Sequence, residues 1–519
     1  MSQTVQITVV PEKKDDLEWH LNLISQKLNA NSLSASSVKL IKRSIDARKR
    51  EIKYILSYQI LDDTSIDDYV FSPGYLNVSN AKETVHIIGC GPAGLFAALN
   101  CLKLGLKPIV FDRGKDARSR RRDLASLTKT GKVNPESNYC FGEGGAGTYS
   151  DGKLYTRSKK RGNVLEVLEL LVHHGAPKDI LIDAHPHIGT NKLPAIIQHI
   201  TQTIIDFGGE VNFNAKLTDL SIDNQSIDSI EINGERTVKV KSLVLATGHS
   251  ARDVFHLLND KAIKMSFKPF ALGVRIEHQQ SLIDKIQYKQ EQRSEFLPPS
   301  SYGLVHNNGE RSVYSFCMCP GGIIAPCSTE EGEVVTNGWS PSKRNNPYAN
   351  SGIVVEIKWE DLKQYHAYGP LAGLRFQQEM EKKSFQMGGG NQQVPAQRMI
   401  DFINNKVSKS LPVTSYQPGI RSVNLNTLFP SFISRTLIDG FRSFNNKMKG
   451  YITNDAVLHA TESRTSSPVR IPRNEQLEHP EIKGFYPCGE GAGYAGGIVS
   501  AAIDGVKCVT AIFEKPNQS

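Results

Sequence analysis

Cysteine is scarce and poorly spaced for metal. Cys90, Cys101, Cys140, Cys317, Cys319, Cys327, Cys488 and Cys508 include no C-x-x-C pair and no zinc spacing. That excludes a zinc module, and free thiols are expected rather than a disulfide framework. Only Cys317-Met318-Cys319 with Cys327 forms a local cluster. It reads as structural, with a redox thiol as the sharper alternative. Long uncharged apolar runs are missing, which argues against a membrane span. The start, MSQTVQITVV, lacks a basic stretch followed by an apolar core. No secretory leader is therefore expected, and a cytoplasmic location is. There is no internal repeat and no low-complexity tract. No sign of charge dominates: 62 Lys+Arg face 53 Asp+Glu, a net +9 over 519 residues. That mild excess can draw an anionic ligand and does not by itself imply nucleic acid.

What is present is organised around Thr84 to Leu95. Thr84-Val85-His86-Ile87-Ile88 is a β-prone run, Gly89-Cys90-Gly91-Pro92-Ala93-Gly94 follows at once, and Leu95 to Leu102 is helix-compatible. Strand, glycine turn and helix in that order make a dinucleotide fingerprint. Gly89 permits the tight turn, Gly91 lets backbone approach a pyrophosphate, and Gly94 lets helix and strand pack closely. The helix N-terminus offers free N–H groups to the phosphates. A second buried strand, Pro108 to Phe111, ends in Asp112, about 20 residues on, where a carboxylate can accept from a ribose hydroxyl. Arg113 follows, opening a basic stretch with Arg118, Arg120, Arg121 and Arg122. It reads as a solvated helix start, with dinucleotide contact as the sharper alternative.

The rest divides into pieces. Residues 1–80 read as a small α+β domain: a strand at Val5–Val9, a helix over Asp15–Leu28, a basic stretch from Val38 to Arg48, and a strand over Ile52–Leu61. Its basic face is expected to pack on the main domain or face solvent, with RNA as the alternative. Asp67 to Asn80 reads as a linker. Residues 81–254 are the first part of a nucleotide-binding domain. Helices are expected at Asn163–His173 and Lys192–Phe207, a strand at Gly209–Leu217, a hairpin across Gly234, and a buried strand ending in Ala246-Thr247-Gly248. Between them, Gly142-x-Gly144-x-x-Gly147 matches the fingerprint formally. It is rejected as a second nicotinamide site because no apolar strand precedes it. So many glycines followed by Thr148, Ser150 and Asp151 still place backbone near a ligand. His185 and His187 sit in a loop without a partnering metal pattern, and no metal is expected. Residues 255–450 read as an inserted substrate-side domain, and 451–519 as the returning nucleotide-binding part. There Cys488-Gly489-Glu490-Gly491 leads through Gly496, Gly497 and Ile498 into an apolar helix, Val499 to Ile512. The class is α/β, a Rossmann-like parallel sheet with antiparallel insertions.

GCGPAG with Asp112, LATG at 245–248 and the late glycine-rich turn resemble the FAD fold of the glutathione-reductase and p-hydroxybenzoate-hydroxylase class. EGGAGTYSDGKLYTR (143–157), YSFCMCPGG (314–322), TSSPVRIPR (465–473) and YPCGEGAGYAGGIVSAAIDG (486–505) resemble, more narrowly, the FAD-dependent dehydrogenases or oxidoreductases of undefined substrate. The resemblance implies that Gly89, Gly91, Pro92, Ala93 and Gly94 hold the FAD pyrophosphate, with Asp112 and Arg113 at the adenosine end and Leu217 beside the adenine. It implies that Ala246, Thr247 and Gly248 pass near the pyrophosphate, and Gly489 and Glu490 meet the ribityl or phosphate region. Glu490 stands where this class often has Asp. Gly496, Gly497 and Ile498 would lie at the flavin N1/O2 edge, and Gly145, Ala146, Thr148, Ser150, Asp151 and Lys153 would line the flavin side. The implied activity is hydride transfer at flavin N5 with a small-molecule substrate, with NAD(P)H as a transient electron donor. The alternatives are a flavin monooxygenase or halogenase, and an FAD-containing RNA-interacting protein. No general base stands out; His187, Tyr314, Cys317 and Arg470 are pocket candidates. Neither membrane nor nucleic acid is the expected partner.

Overall fold

The computed structural model describes residues 3–30, 33–61, 71–156 and 162–515. At the N-terminus three antiparallel strands run in the order Thr4–Val9, Lys53–Ile60, Val38–Asp46. Asp16 caps the helix Leu17–Leu28 by accepting from Trp19 N–H at 3.0 Å, and Ile24 packs into the small core. The basic stretch is therefore a strand. Its Arg43 is turned onto the main body, 2.8 Å from Asp183, with backbone bonds to Ile182 and Ala184 on either side. Of the linker expected over 67–80, residues 67–70 lie outside the described residues. Leu76 N–H bonds to Leu102 and Val78 N–H to Phe207, so the rest is strapped along the surface.

The central sheet has five parallel strands in the order Phe485–Pro487, Leu243–Leu245, Thr84–Ile88, Lys107–Phe111, Glu210–Asn212. Its inner strands are buried on both faces and mostly apolar, and Val85, Ile87, Val110 and Val244 sit in the core. The helices Pro92–Leu104 and Ile498–Glu514, from opposite ends of the chain, pack against each other. Gly505 makes that contact possible: a Cβ there would lie 2.0 Å from Ala93 C=O. Gly505→Val should separate the two helices and cost about 1–3 kcal/mol, read as a lowered denaturation midpoint. The strand expected at Gly209–Leu217 is broken. Asn214 takes φ 52°, and a separate meander, Leu217–Asp223, Ser226–Ile232, Arg236–Lys239, begins after it.

A second sheet of seven strands, mostly antiparallel, runs Val305–Asn307, Ser312–Cys319, Tyr348–Ile357, Phe270–Gln279, Val457–Glu462, Val394–Arg398, Ile420–Ser422. This corrects the boundary drawn at 450. Val457–Glu462 pairs with Phe270–Gln279 deep in this sheet, and the chain rejoins the parallel sheet only at Phe485. Nothing in VLHATE, three apolar residues and three polar ones, says which sheet it joins. A buried ion cluster ties the two sheets' layers together. Arg252, on the helix after the LATG strand, meets Glu333 at 2.8 Å and Glu381 at 2.6 Å, and Arg464 meets Glu381 at 3.0 Å.

His278 is buried in the second sheet with Nε2 2.9 Å from Tyr451 C=O. Burial pulls its pKa down to about 4. The unfolded chain binds this proton near pH 6.5 and the native state does not. Stability carried by His278 is therefore present above about pH 6.5 and lost, at about 1.4 kcal/mol per unit, as pH falls towards 4. Chemical denaturation across that window should show a shallower pH slope for His278→Phe than for the unsubstituted chain.

Candidate functional site

One cavity of about 840 Å³ runs along the carboxyl end of the parallel sheet and under the second sheet. That is the upper part of the usual range for ligand pockets, about 300–1,000 Å³. The position is where an open α/β sheet binds ligands. Both glycine turns open onto it. Gly91 caps the helix Pro92–Leu104 without any side-chain cap, so the amides at the helix start have no side-chain acceptor and face the cavity that Ala93 lines. The helix Ile498–Glu514 also starts without a side-chain cap, at Gly497. Two uncapped helix starts aimed at one cavity form a site for negative charge. Gly248, Gly496 and Gly497 face open space: a Cβ on any of them meets nothing within 4 Å.

The third glycine loop, 142–148, links the two turns. A Cβ on Gly147 would stand 3.3 Å from Pro92 and 3.5 Å from Ile498, the first residues of the two helices. The loop is braced from behind by Arg120, whose side chain is fully buried. Its guanidinium donates to the carbonyls of Glu143 (2.5 Å), Asn138 (2.8 Å) and Gly145 (3.0 Å) and to Thr148 Oγ1 (3.2 Å). Glu143 accepts from Ala117 N–H at 2.6 Å, and burial raises its pKa. Arg120 is thus neither solvated nor a ligand contact, as the sequence reading allowed; Arg118, Arg121 and Arg122 are exposed.

At the opposite end Asp112 lines the cavity and is buried. Its Oδ2 accepts from Cys90 N–H at 2.7 Å and Oδ1 from Gly114 N–H at 2.8 Å. A carboxylate has about four acceptor positions, so capacity for a ribose hydroxyl remains. Arg113 also lines the cavity, with its charge engaged by Glu136 (2.5 Å) and Asp253 (2.7 Å) above the Phe141 ring. Leu217, Ala246 and Thr247 line the same stretch. Midway, Glu490 and His249 face each other at 3.7 Å. Burial raises the Glu490 pKa and pulls His249 down to about 4.

Most residues singled out from sequence therefore lie on this one surface: Gly89, Pro92, Gly145, Ala146, Ser150, Asp151, Lys153, Glu490 and Ile498 line it with those above. Three do not. Gly94 is a packing contact, because a Cβ would fall 1.9 Å from Gly89 C=O. Thr148 is turned inward, its hydroxyl donating to Glu143 C=O at 2.6 Å. Gly489 donates its N–H to Asp504 at 2.7 Å. Among the pocket candidates, Tyr314 and Cys317 line the cavity, whereas His187 and Arg470 do not. Arg157 lies outside the described residues. The sequence reading missed the roof: Tyr302, Asn337, Gly338 and Arg344 come from loops and short strands of the second sheet's layer. No local motif marks them; only the tertiary fold brings them over the glycine turns.

Residues 269–465 match the family described as FAD-dependent protein, C-terminal domain-like, and residues 1–61 match a domain of unknown function. An uncharacterized protein of Clostridium beijerinckii is 40% identical over 520 residues, covering 96% of this chain and 97% of that one. Among solved structures, a geranylgeranyl bacteriochlorophyll reductase-like protein from Thermoplasma acidophilum is 13% identical with TM-score 0.35, over 83% of this chain and 78% of that chain. The flavin-dependent brominase Bmp2 is 14% identical with TM-score 0.34, over 83% and 78%. No helix among the described residues is long and apolar enough to cross a membrane.

Proposed function

This chain belongs to one family with the Clostridium beijerinckii relative, and its residues 269–465 match the FAD-dependent protein, C-terminal domain-like model; from that premise we propose that it is an FAD-dependent oxidoreductase acting on a small-molecule substrate. One observation carries the proposal: glycine turns from opposite ends of the chain, with the 142–148 loop between them, open onto a single cavity lined by Asp112. The surface fits the cofactor, since the two uncapped helix starts suit a diphosphate and an acidic flavin edge. Gly91, Ala93 and Gly145 would hold the diphosphate, Asp112 the ribose, and Leu217 the adenine. Gly496, Gly497 and Ile498 would meet the flavin edge, and Glu490 the ribityl chain. Bound FAD supplies the hydride-accepting centre.

The protein's own part is positional. Ser312–Cys319 and Arg344 line the cavity opposite the glycine turns, where Tyr314 from this side and Lys153 from the glycine-loop side would face a substrate. Tyr314 has its hydroxyl pKa raised by burial, so it stays protonated and serves as a donor. NADH or NADPH is the proposed transient donor when the enzyme works as a reductase. Purified protein should be yellow. Anaerobic mixing with a metabolite panel, and with NADH and NADPH in parallel, should bleach it with at least one reductant. Protein that binds no flavin would sink the reading.

A further inference from the structure

Beyond the glycine turns, the end of the cavity nearest the second sheet holds an unbalanced group of charges. Asp151 is 4% exposed, and its Oδ2 takes two cations: Lys153 Nζ at 3.2 Å and Arg344 Nη2 at 2.9 Å. One negative charge faces two positive ones. The next cation along the wall, Arg275, is matched by Glu462 at 2.9 Å and leaves the balance unchanged. His187, close by and bonded to Ser342 C=O, is held below its ordinary pKa by burial and adds no positive charge at neutral pH. Lys153 is held as an ammonium by its ion pair with Asp151, and its Nζ lies 3.7 Å from the neutral Cys319 thiol.

Asp151, Lys153, Arg344 and Cys319 all line the cavity. Two buried atoms in the group have no protein partner: Arg344 Nε, a donor, and Asp151 Oδ1, an acceptor. Two cations sharing one carboxylate leave one positive charge in excess at the cavity wall, and charge-assisted donors of this kind bind oxyanions strongly. The geometry points to an anion subsite in which Lys153 and Arg344 hold an oxyanionic group of the substrate, a carboxylate or a phosphate. A hydroxyl beside that charge would also satisfy Asp151 Oδ1. This assignment rests on the flavoenzyme reading for what the substrate does, though not for the charge itself.

The test uses flavin-loaded full-length protein and two probes that each carry a hydroxyl beside the charge, glycolate and inorganic phosphate. Both are titrated against chloride at matched ionic strength. Thermal unfolding and the visible flavin spectrum are the readouts. A saturable response above chloride is expected for at least one probe, and which one responds identifies the class of anion. Lys153→Met and Arg344→Gln should each weaken it about tenfold or more. A response to neither probe, or an unchanged response in both variants, overturns the subsite. Equal flavin content in the variants shows that the loss is not unfolding. The two readings fail separately. Colourless protein that gains stability from the probe, with the gain lost in Lys153→Met and Arg344→Gln, keeps the anion subsite and loses the flavin. Yellow protein indifferent to both probes does the reverse.

Discussion

Gly91→Val should yield folded, colourless protein. Of the three glycines in the first turn, only Gly91 separates ligand binding from folding. Gly89 has φ 103°, and a Cβ there would lie 2.3 Å from Ala246 C=O; at Gly94 it would lie 1.9 Å from Gly89 C=O. Substituting either breaks the turn itself. Gly91 is extended, φ −78° and ψ −175°, which valine adopts readily. Its only near neighbour is Gly145 Cα at 3.8 Å, an ordinary contact. The valine methyls then stand in the cavity where the diphosphate backbone must pass. Flavin absorbance after purification should fall by at least about tenfold, equivalent to about 1.4 kcal/mol or more of binding free energy. The variant's Tm should equal that of the unsubstituted protein stripped of flavin, because a bound ligand adds its own stability to the native state. A Gly91→Val protein carrying a full complement of FAD would refute the placement of the diphosphate.

How much of this was legible in the sequence follows from how local each feature is. The turn at 89–94, the strand ending at Asp112 and the late turn at 496–498 are contiguous motifs whose physics acts within a few residues. All three stand at the cavity, apart from Gly94, which serves packing. The inner parallel strands were legible because burial on both faces makes them mostly apolar, whereas the half-exposed edge strand Glu210–Asn212 was not bounded correctly. The boundary near 450 was not legible: Val457–Glu462 is buried on both faces too, but it mixes Val457, Leu458 and Ala460 with His459, Thr461 and Glu462, and so short a run does not say which sheet it joins. Thr148 was misassigned because a glycine loop beside a ligand has a lining side and a braced side. The spacing does not distinguish them; only Arg120, reaching from the next helix, does. Arg344 and Tyr302 were invisible because they are brought to the site by pairing between strands far apart in sequence.

Arg120→Leu should have the second large effect, on stability and on flavin retention together. The guanidinium has no carboxylate oxygen within ion-pair distance among the described residues; it is held by three carbonyls and a hydroxyl. Burial accordingly lowers its pKa, although arginine keeps its charge at any physiological pH. Leucine fills part of the volume and leaves the carbonyl of Asn138 buried without a donor, while Glu143 C=O keeps only the Thr148 hydroxyl and Gly145 C=O only the Thr148 N–H. The orphaned group costs about 1–3 kcal/mol, and the lost charge-assisted bonds add to it, so a loss of about 2–4 kcal/mol is expected after local relaxation. The same bonds orient the loop. A trans peptide points C=O and N–H in opposite directions. With Gly145 C=O turned back onto Arg120, the Ala146 N–H is turned toward the cavity that Ala146 lines. Freed from Arg120, the loop can rotate that amide away from an incoming phosphate. Arg120→Leu should thus lose flavin affinity without touching the cavity, and Arg120→Lys, which keeps the charge but not the fork of donors, should recover stability only in part. The measurement is paired: a denaturation midpoint and a flavin dissociation constant for each variant. If both variants bound FAD as tightly as the unsubstituted chain, the loop would owe its orientation to something other than Arg120.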